Sequence, residues 1–196
     1  LRWALSRWWA GGALVLCLVW GVQARAADPP ALRLEDTGSE RLAFCYLGKV
    51  PNTRLVVVDK SRQRLMVFRY MGEFELEYEY PAATGKNPGP KTAEGDERTP
   101  VGIYFTTHRY LDNKVTVFGD RAIHLNYPNP FDKAAGRQGN GIYIHGTNGS
   151  LKERSSNGCI TMRNEDLAKV YHLIEEQQTP VVVMERRQLA PPERRI

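Results

Sequence analysis

The stretch from Ile144 to Met162, IHGTNGSLKERSSNGCITM, contains a histidine and a cysteine fourteen residues apart, each beside a glycine. A cysteine thiolate is a nucleophile, and a nearby imidazole can take the proton of the thiol. The Ser-Ser-Asn-Gly run before Cys159 favours a tight turn whose backbone amides converge, and such amides can stabilise an oxyanion. His145 and Cys159 are therefore candidates for nucleophilic acyl transfer, provided that the fold brings their segments together.

The elements that must position these residues are mostly strands. Apolar runs predict strands at RLVVVD, RLMVFRY, FELEYEYPAATG, VGIYFTTHRY, IYIH and TPVVVM, with two shorter apolar runs at VTVF and AIHLN. A helix is predicted over EDLAKVYHLIEEQ, with Asn164 as its N-cap. Residues 86–100 and the stretch YPNPFDKAAGRQGNG lack periodicity and are expected to be loops. The fold class is mainly β, a curved sheet or sandwich with one helix after Cys159.

The N-terminus has the pattern of an export signal. Arg2 and Arg7 precede an uncharged apolar run, and Ala24-Arg25-Ala26 offers a small-x-small cleavage site, so we expect a signal peptide over residues 1–26. A transmembrane anchor is the first alternative, but about fifteen apolar residues fall short of the roughly twenty that span a bilayer. A lipoprotein signal ending at Cys17 is the second. Signal cleavage predicts a periplasmic protein without stable membrane insertion.

The charge balance excludes an electrostatic nucleic-acid binder. The predicted signal removes three of the 27 basic residues and none of the 22 acidic ones, which leaves 27 − 3 = 24 against 22, a net charge of +2. No basic run interleaved with aromatic residues is present, and residues 186–196 are a polar, proline-broken tail. We therefore expect no nucleic acid among the partners.

Cysteine usage leaves two interpretations open. After signal cleavage Cys45 and Cys159 remain, and two cysteines in an oxidising compartment commonly form a disulfide. A non-catalytic wall-binding module with a Cys45–Cys159 disulfide is therefore the alternative to an enzyme. Cys45, in LAFCYLG, also fits a buried apolar residue outside the catalytic motif.

The residues also carry a family resemblance. IHGTN, SSNGCITMRNEDLAKVY and TPVVV resemble the C-terminal half of the YkuD-type L,D-transpeptidase domain, and VVVDKSRQRLMVFR, PAATGKN and RTPVGIY resemble its earlier strands and loops. The loop GPKTAEGDERTPVG further resembles the branch that acts on the peptidoglycan–lipoprotein link. On this basis the predicted organisation is a signal peptide at 1–26, an N-terminal segment at 27–53, a catalytic domain at 54–185 and the tail.

The resemblance assigns roles to matching positions. Cys159 would attack the carbonyl of the diamino acid in a peptidoglycan stem peptide, His145 would act as base, and the Gly146 carbonyl would orient the imidazole. The amides of Gly158 and Cys159 would form the oxyanion hole. No metal and no organic cofactor would be needed, since the thiolate and the oxyanion hole suffice.

Substrate contacts are expected from the same segment, at Ser156, Asn157, Gly158, Thr161 and Arg163. Two of these positions depart from the family pattern. Asn157 replaces a usual histidine, and we expect it to shape the turn near the oxyanion hole. Thr161 stands where an arginine is usual, although Arg163 lies two residues on, so the contact to the substrate carboxylate is left open.

The expected function is an exported cysteine acyltransferase acting on peptidoglycan stem peptides, an L,D-transpeptidase of the cell wall, with a wall-linked lipoprotein as a further partner. The alternative within the enzyme class is hydrolysis of the same bonds, by an L,D-carboxypeptidase or by an amidase that releases a wall-linked protein. Both alternatives share the acyl-enzyme and differ in whether an amine or water resolves it.

Overall fold

The computed structural model describes residues 32–33, 53–111, 118–175, 179–186 and 188–189. The predicted signal peptide, Cys45 and most of the N-terminal segment and C-terminal tail lie outside these residues, as does most of the apolar run VTVF. The predictions made for those parts therefore stay predictions.

Ten strands and two helices make up the described chain, and the mainly β fold class is confirmed. The strands are β1 (Leu32–Arg33), β2 (Arg54–Asp59), β3 (Arg64–Tyr70), β4 (Phe74–Pro81), β5 (Gly102–Leu111), β6 (Arg121–Leu125), β7 (Tyr143–His145), β8 (Ile160–Thr161), β9 (Pro180–Met184) and β10 (Gln188–Leu189). The helices are α1 (Pro130–Ala134) and α2 (Asn164–Leu173).

Eight strands form one curved sheet in the order β4-β3-β2-β9-β5-β6-β7-β8, and β1 pairs separately with β10. Strand β5 joins the part of the sheet that ends with β9 to the part that begins with β6. Its first part pairs with β9 through Gly102 to Phe105, and its second part pairs with β6 after a register shift between Thr106 and Arg109. Because a bulge bends a strand and increases its twist, this shift lets the sheet curl.

The main core lies between the curved sheet and α2. Leu167, Val170 and Ile174 are buried there against strand residues such as Val56 and Ile144. A second apolar cluster occupies the other face of the central strands, and it contains Leu55, Val57, Met66, Phe68, Val182 and Met184. The central strand β2 is thus buried on both faces, which explains its continuous apolar run.

Two local predictions differ from the structure. Helix α1 forms within the stretch that was expected to be irregular, because Asn129 caps it and Asp132 completes a capping box. The second difference concerns the start of α2. Arg163 occupies the N-cap position without a side-chain capping bond, and Asn164 is the first helical residue, so the prediction of Asn164 as the cap was wrong. The side-chain amide of Asn164, through Nδ2, instead donates to Asn148 Oδ1 at 2.9 Å.

Candidate active site

Parallel pairing of β7 with β8 closes the fourteen-residue gap between the histidine and the cysteine. Ile144 pairs with Ile160, and His145 pairs with Thr161. Both isoleucines are fully buried, so the apolar core holds the two strands in this register. Cys159 immediately precedes β8, and the alternation of side chains along a strand puts residues 159 and 161 on the same side as His145.

The His145 imidazole is buried and held by its own neighbour. Its Nδ1 lies 2.7 Å from the Gly146 carbonyl oxygen. Because a carbonyl can only accept, Nδ1 carries the proton, which leaves Nε2 of the neutral ring as an acceptor. Nε2 lies 3.4 Å from the Thr161 hydroxyl. Burial lowers the pKa of His145, and the bond to Gly146 offsets this only in part. The resting ring is therefore a neutral base.

Cys159 carries a free, partly buried thiol. Its Sγ lies 3.5 Å from the Gly141 carbonyl oxygen, to which the thiol donates. Burial raises the pKa of Cys159, while a hydrogen bond from the Tyr143 backbone and the charge of Lys91 act in the opposite direction. With burial as the largest influence, the resting side chain is a thiol.

The turn before the nucleophile depends on Ser156 and Gly158. Ser156 Oγ donates to the Cys159 carbonyl at 2.5 Å and accepts from the Gly158 amide at 3.1 Å. Gly158 has φ = +132°, and a Cβ at this position would lie 2.9 Å from the Arg98 carbonyl oxygen. Glycine is therefore required both by the backbone conformation and by the close approach of residue 98.

The other predicted contact residues occupy different environments. Asn157 is exposed, and its Oδ1 accepts from Lys86 Nζ at 2.9 Å, while the same ammonium pairs with Glu97. Thr161 is buried beside the histidine, whereas Arg163 is exposed at the start of α2. Thr161 is thus close to the His145 imidazole, and the Arg163 cation two residues later lies on the surface.

Residues 86–100 form a loop, as expected. The sequence did not indicate that this loop packs over the turn before Cys159, where the Lys86 amide donates to the Ser156 carbonyl at 3.0 Å. The Gly85 amide donates to Thr99 Oγ1, and a Cβ at Gly85 would lie 2.3 Å from the Glu97 carbonyl oxygen. Lys91 within the loop is buried and forms an ion pair with Asp96. The sequence marked this lysine only as part of the loop GPKTAEGDERTPVG, which resembles one branch of the family.

Aromatic rings surround the other side of the histidine. The Phe118 and His145 ring centroids are 4.6 Å apart, and Phe118 also stacks on Tyr143 with centroids 5.5 Å apart. A pocket of about 280 Å³ opens next to them. Its lining comprises Tyr110, Phe118, Gly119, Asp120, Arg121, Ala122 and Tyr143. The pocket therefore lies beside His145, through Phe118 and Tyr143, and its wall combines aromatic rings with the Asp120 and Arg121 side chains.

Among the described residues, no group of three or more His, Cys, Asp and Glu side chains is placed to hold a metal ion. In the same part of the chain, no helix is long and apolar enough to cross a membrane.

Fold and site together define a mainly β domain with a histidine at the end of one strand and a cysteine immediately before the adjacent strand. The family model of the YkuD L,D-transpeptidase catalytic domain matches residues 53–183, more than half of the chain. The chain belongs to this family.

Several relatives are known. YafK of Escherichia coli (strain K12), named as an L,D-transpeptidase, is 29% identical over 86 residues, which cover 44% of this chain and 32% of YafK. The structure of Bdellovibrio bacteriovorus Bd1075 is 30% identical with a TM-score of 0.63, over 83% of this chain and 55% of that chain.

A third relative is Pgp2, the helical cell shape determining protein of Campylobacter jejuni. It is 29% identical with a TM-score of 0.62, over 71% of this chain and 51% of that chain. The chain thus matches about a third of the length of YafK and about half of the two solved chains.

Proposed function

We propose that the protein is an exported cysteine acyltransferase that forms a thioester at Cys159 with a peptidoglycan stem peptide and passes the acyl group to an amine. The observation that carries this proposal is the orientation of His145. Its Nδ1 is held by the Gly146 carbonyl, which leaves Nε2 as the acceptor, and Nε2 lies 3.4 Å from the Thr161 hydroxyl on β8, the strand that Cys159 immediately precedes. The membership in the L,D-transpeptidase family supports the choice of substrate.

The first half of the reaction forms the acyl-enzyme. Nε2 of His145 takes the thiol proton, and the sulfur attacks the carbonyl carbon of the diamino acid at its L-centre. As the carbon–sulfur bond forms and the amide carbon–nitrogen bond breaks, the imidazolium gives its proton to the departing amine. The second half reverses these transfers. An acceptor amine gives a proton to Nε2, attacks the thioester and releases the sulfur, which regains the proton.

The oxyanion would be stabilised by backbone amides of the turn. In the resting enzyme the Gly158 amide donates to Ser156 Oγ. Use of this amide by the substrate would therefore require the Ser156 hydroxyl to turn away. The contact of Ser156 with the Cys159 carbonyl would then break as well. Ser156 is thus proposed to hold the turn closed until substrate arrives.

Hydrolysis of the same thioester by water is the second candidate. It is kept because the acyl-enzyme is common to both reactions, and because Pgp2, 29% identical, is named for determining cell shape and not for cross-linking. A wall-linked lipoprotein as substrate rests on the resemblance of the loop over residues 89–102 alone. Periplasmic location rests on the predicted signal peptide.

Incubation of the protein with purified muropeptides, followed by mass analysis, tests the proposal. Transpeptidation yields cross-linked dimers, hydrolysis yields tripeptides that have lost the terminal D-alanine, and cleavage of a protein link yields released protein. Cys159→Ala is expected to reduce each product below about 1% of wild type, because the nucleophile is lost. A Cys45→Ala variant is the matched control and should remain active. Turnover by Cys159→Ala would contradict the assignment.

A further inference from the structure

Lys91 is a buried lysine that the acyl-transfer chemistry above leaves unused, and it lies against the segment that contacts Cys159. Only 3% of the residue is exposed. Its ammonium donates to Asp96 Oδ1 at 2.7 Å and to the Ala93 carbonyl at 2.9 Å. The Asp96 carboxylate also accepts from the backbone amides of residues 92, 93 and 98. The cation and its partner are therefore fixed within one loop.

The segment 139–141 links this lysine to the thiol. A Cβ at Gly139 would lie 2.9 Å from Lys91 Cε and 3.5 Å from Nζ, so the end of the lysine side chain lies against the backbone there. Two residues later, the Gly141 carbonyl accepts from Cys159 Sγ. The Gln138 amide, bonded to the Thr92 carbonyl at 3.1 Å, fixes the loop against the start of this segment.

The charges near the thiol differ in their effect. His145 is neutral at rest, and the pKa of Tyr143 is raised by burial, so its phenol is neutral too. Lys86 lies on the exposed side of the turn and is paired with Glu97. Lys91 is the charged side chain that lowers the pKa of Cys159, against the larger effect of burial.

We propose that Lys91 is a positioning residue that stabilises the thiolate of Cys159 through its buried charge, and that Asp96 limits this stabilisation by partly cancelling the charge. A charge in a poorly solvated site acts more strongly than one at the surface. The proposal rests on the role of Cys159 as nucleophile proposed above.

The test measures thiol ionisation without any peptide substrate. The full chain is treated with iodoacetamide between pH 6 and 11.5, because the thiol pKa is raised by burial, and the alkylation rate of Cys159 is followed by peptide mass mapping, which separates it from the other cysteines. The midpoint of the rate profile reports the thiol pKa. Lys91→Met is expected to raise this midpoint by about one pH unit, and Lys91→Arg should keep it near the wild-type value.

Asp96→Asn distinguishes charge from loop integrity. The Asp96→Asn variant removes the negative partner and leaves the positive charge of Lys91 uncompensated. The midpoint of the alkylation profile should therefore move to lower pH, opposite to the shift in Lys91→Met. Lys86→Met, at an exposed ion pair, is the control and should leave the midpoint unchanged. Shifts in the same direction for both variants of the buried pair, or no shift in either, would overturn the proposal.

Two further observations keep the result interpretable. Thermal unfolding shows whether each variant is folded. If Lys91→Met is not folded, the proposal is judged on whether Asp96→Asn moves the alkylation midpoint to lower pH. Loss of the muropeptide reaction in the wild type would refute the proposed function while leaving the alkylation shifts measurable. Unchanged midpoints with normal muropeptide turnover would refute only the role of Lys91.

Discussion

At the scale of single residues, burial keeps Cys159 and His145, the proposed nucleophile and base, in their neutral forms. Burial raises the pKa of Cys159 and lowers that of His145, so a resting thiolate–imidazolium pair is disfavoured. The proton must then move as substrate binds or reacts. The bond from Nδ1 to the Gly146 carbonyl matters for this transfer because it keeps Nε2 free to accept.

The pH dependence of acylation should reflect this shift. Protonation of His145 removes the base, and because burial lowers its pKa below the ordinary 6.5, the acidic limb should lie below pH 6.5. The rate of carbapenem acylation, followed by intact mass between pH 4 and 9, measures it. A limb centred above pH 6.5 would contradict a buried neutral imidazole.

The same shift affects stability with a defined sign. An unfolded His145 binds a proton near pH 6.5, whereas the folded side chain resists protonation to lower pH. The stabilisation that the folded protein gains by keeping His145 neutral is therefore fully present above pH 6.5, and it is lost as the pH falls.

At the scale of elements, the loop over residues 86–100 and the turn before Cys159 stabilise each other by direct backbone contact. The contacts at Gly85 and Gly158 leave no room for a Cβ. These glycines allow residues 97–99 of the loop to approach the backbone on both sides of the turn before Cys159.

Gly158→Ala should therefore destabilise the protein by about 2–4 kcal/mol, which combines the backbone strain at φ = +132° with the clash against residue 98. Denaturant unfolding followed by circular dichroism measures this loss. Gly95→Ala is the matched control, since Gly95 also has a positive φ of +73° but no atom within 4 Å of its Cβ position. It should cost only about 1 kcal/mol. Equal losses in the two variants would show that close approach is unimportant at Gly158.

At the scale of the whole molecule, Lys60 joins parts that are distant in the chain. It is fully buried just after β2, pairs with Glu185 after β9 at 2.8 Å, and donates to the carbonyls of Gly89 and Thr99. Its own carbonyl accepts from Arg154. The central strands are thus tied to the loop beside the active site and to the segment before Cys159.

Lys60→Met should lower the free energy of unfolding by about 1–3 kcal/mol, because the loop carbonyls lose their donor. Urea unfolding provides the measurement. Lys86→Met makes the same change at an exposed ion pair and should cost under about 1 kcal/mol. A smaller loss at Lys60 than at Lys86 would contradict the tie described here.

The sequence by itself determined the β-rich character, the limits of most strands and the two residues of the candidate site. Alternating and continuous apolar runs identify β2 through β5 because side-chain direction in a strand follows a local period. His145 and Cys159 could be identified because their glycine neighbours, and the motifs that carry the family resemblance, lie within short stretches of the sequence. Helix α1 was missed although its capping residues are local too, since Pro and Gly dominate the surrounding stretch.

Only the tertiary structure decided how these segments meet. The parallel register of β7 and β8, the packing of the loop on Gly158 and the burial of Lys60 and Lys91 all depend on residues far apart in the chain. Lysines in polar turns and loops are expected in solvent, since burying a charge costs free energy unless partners compensate. Asp96, Glu185 and the loop carbonyls supply that compensation here, and they become neighbours of the lysines only when the chain has folded.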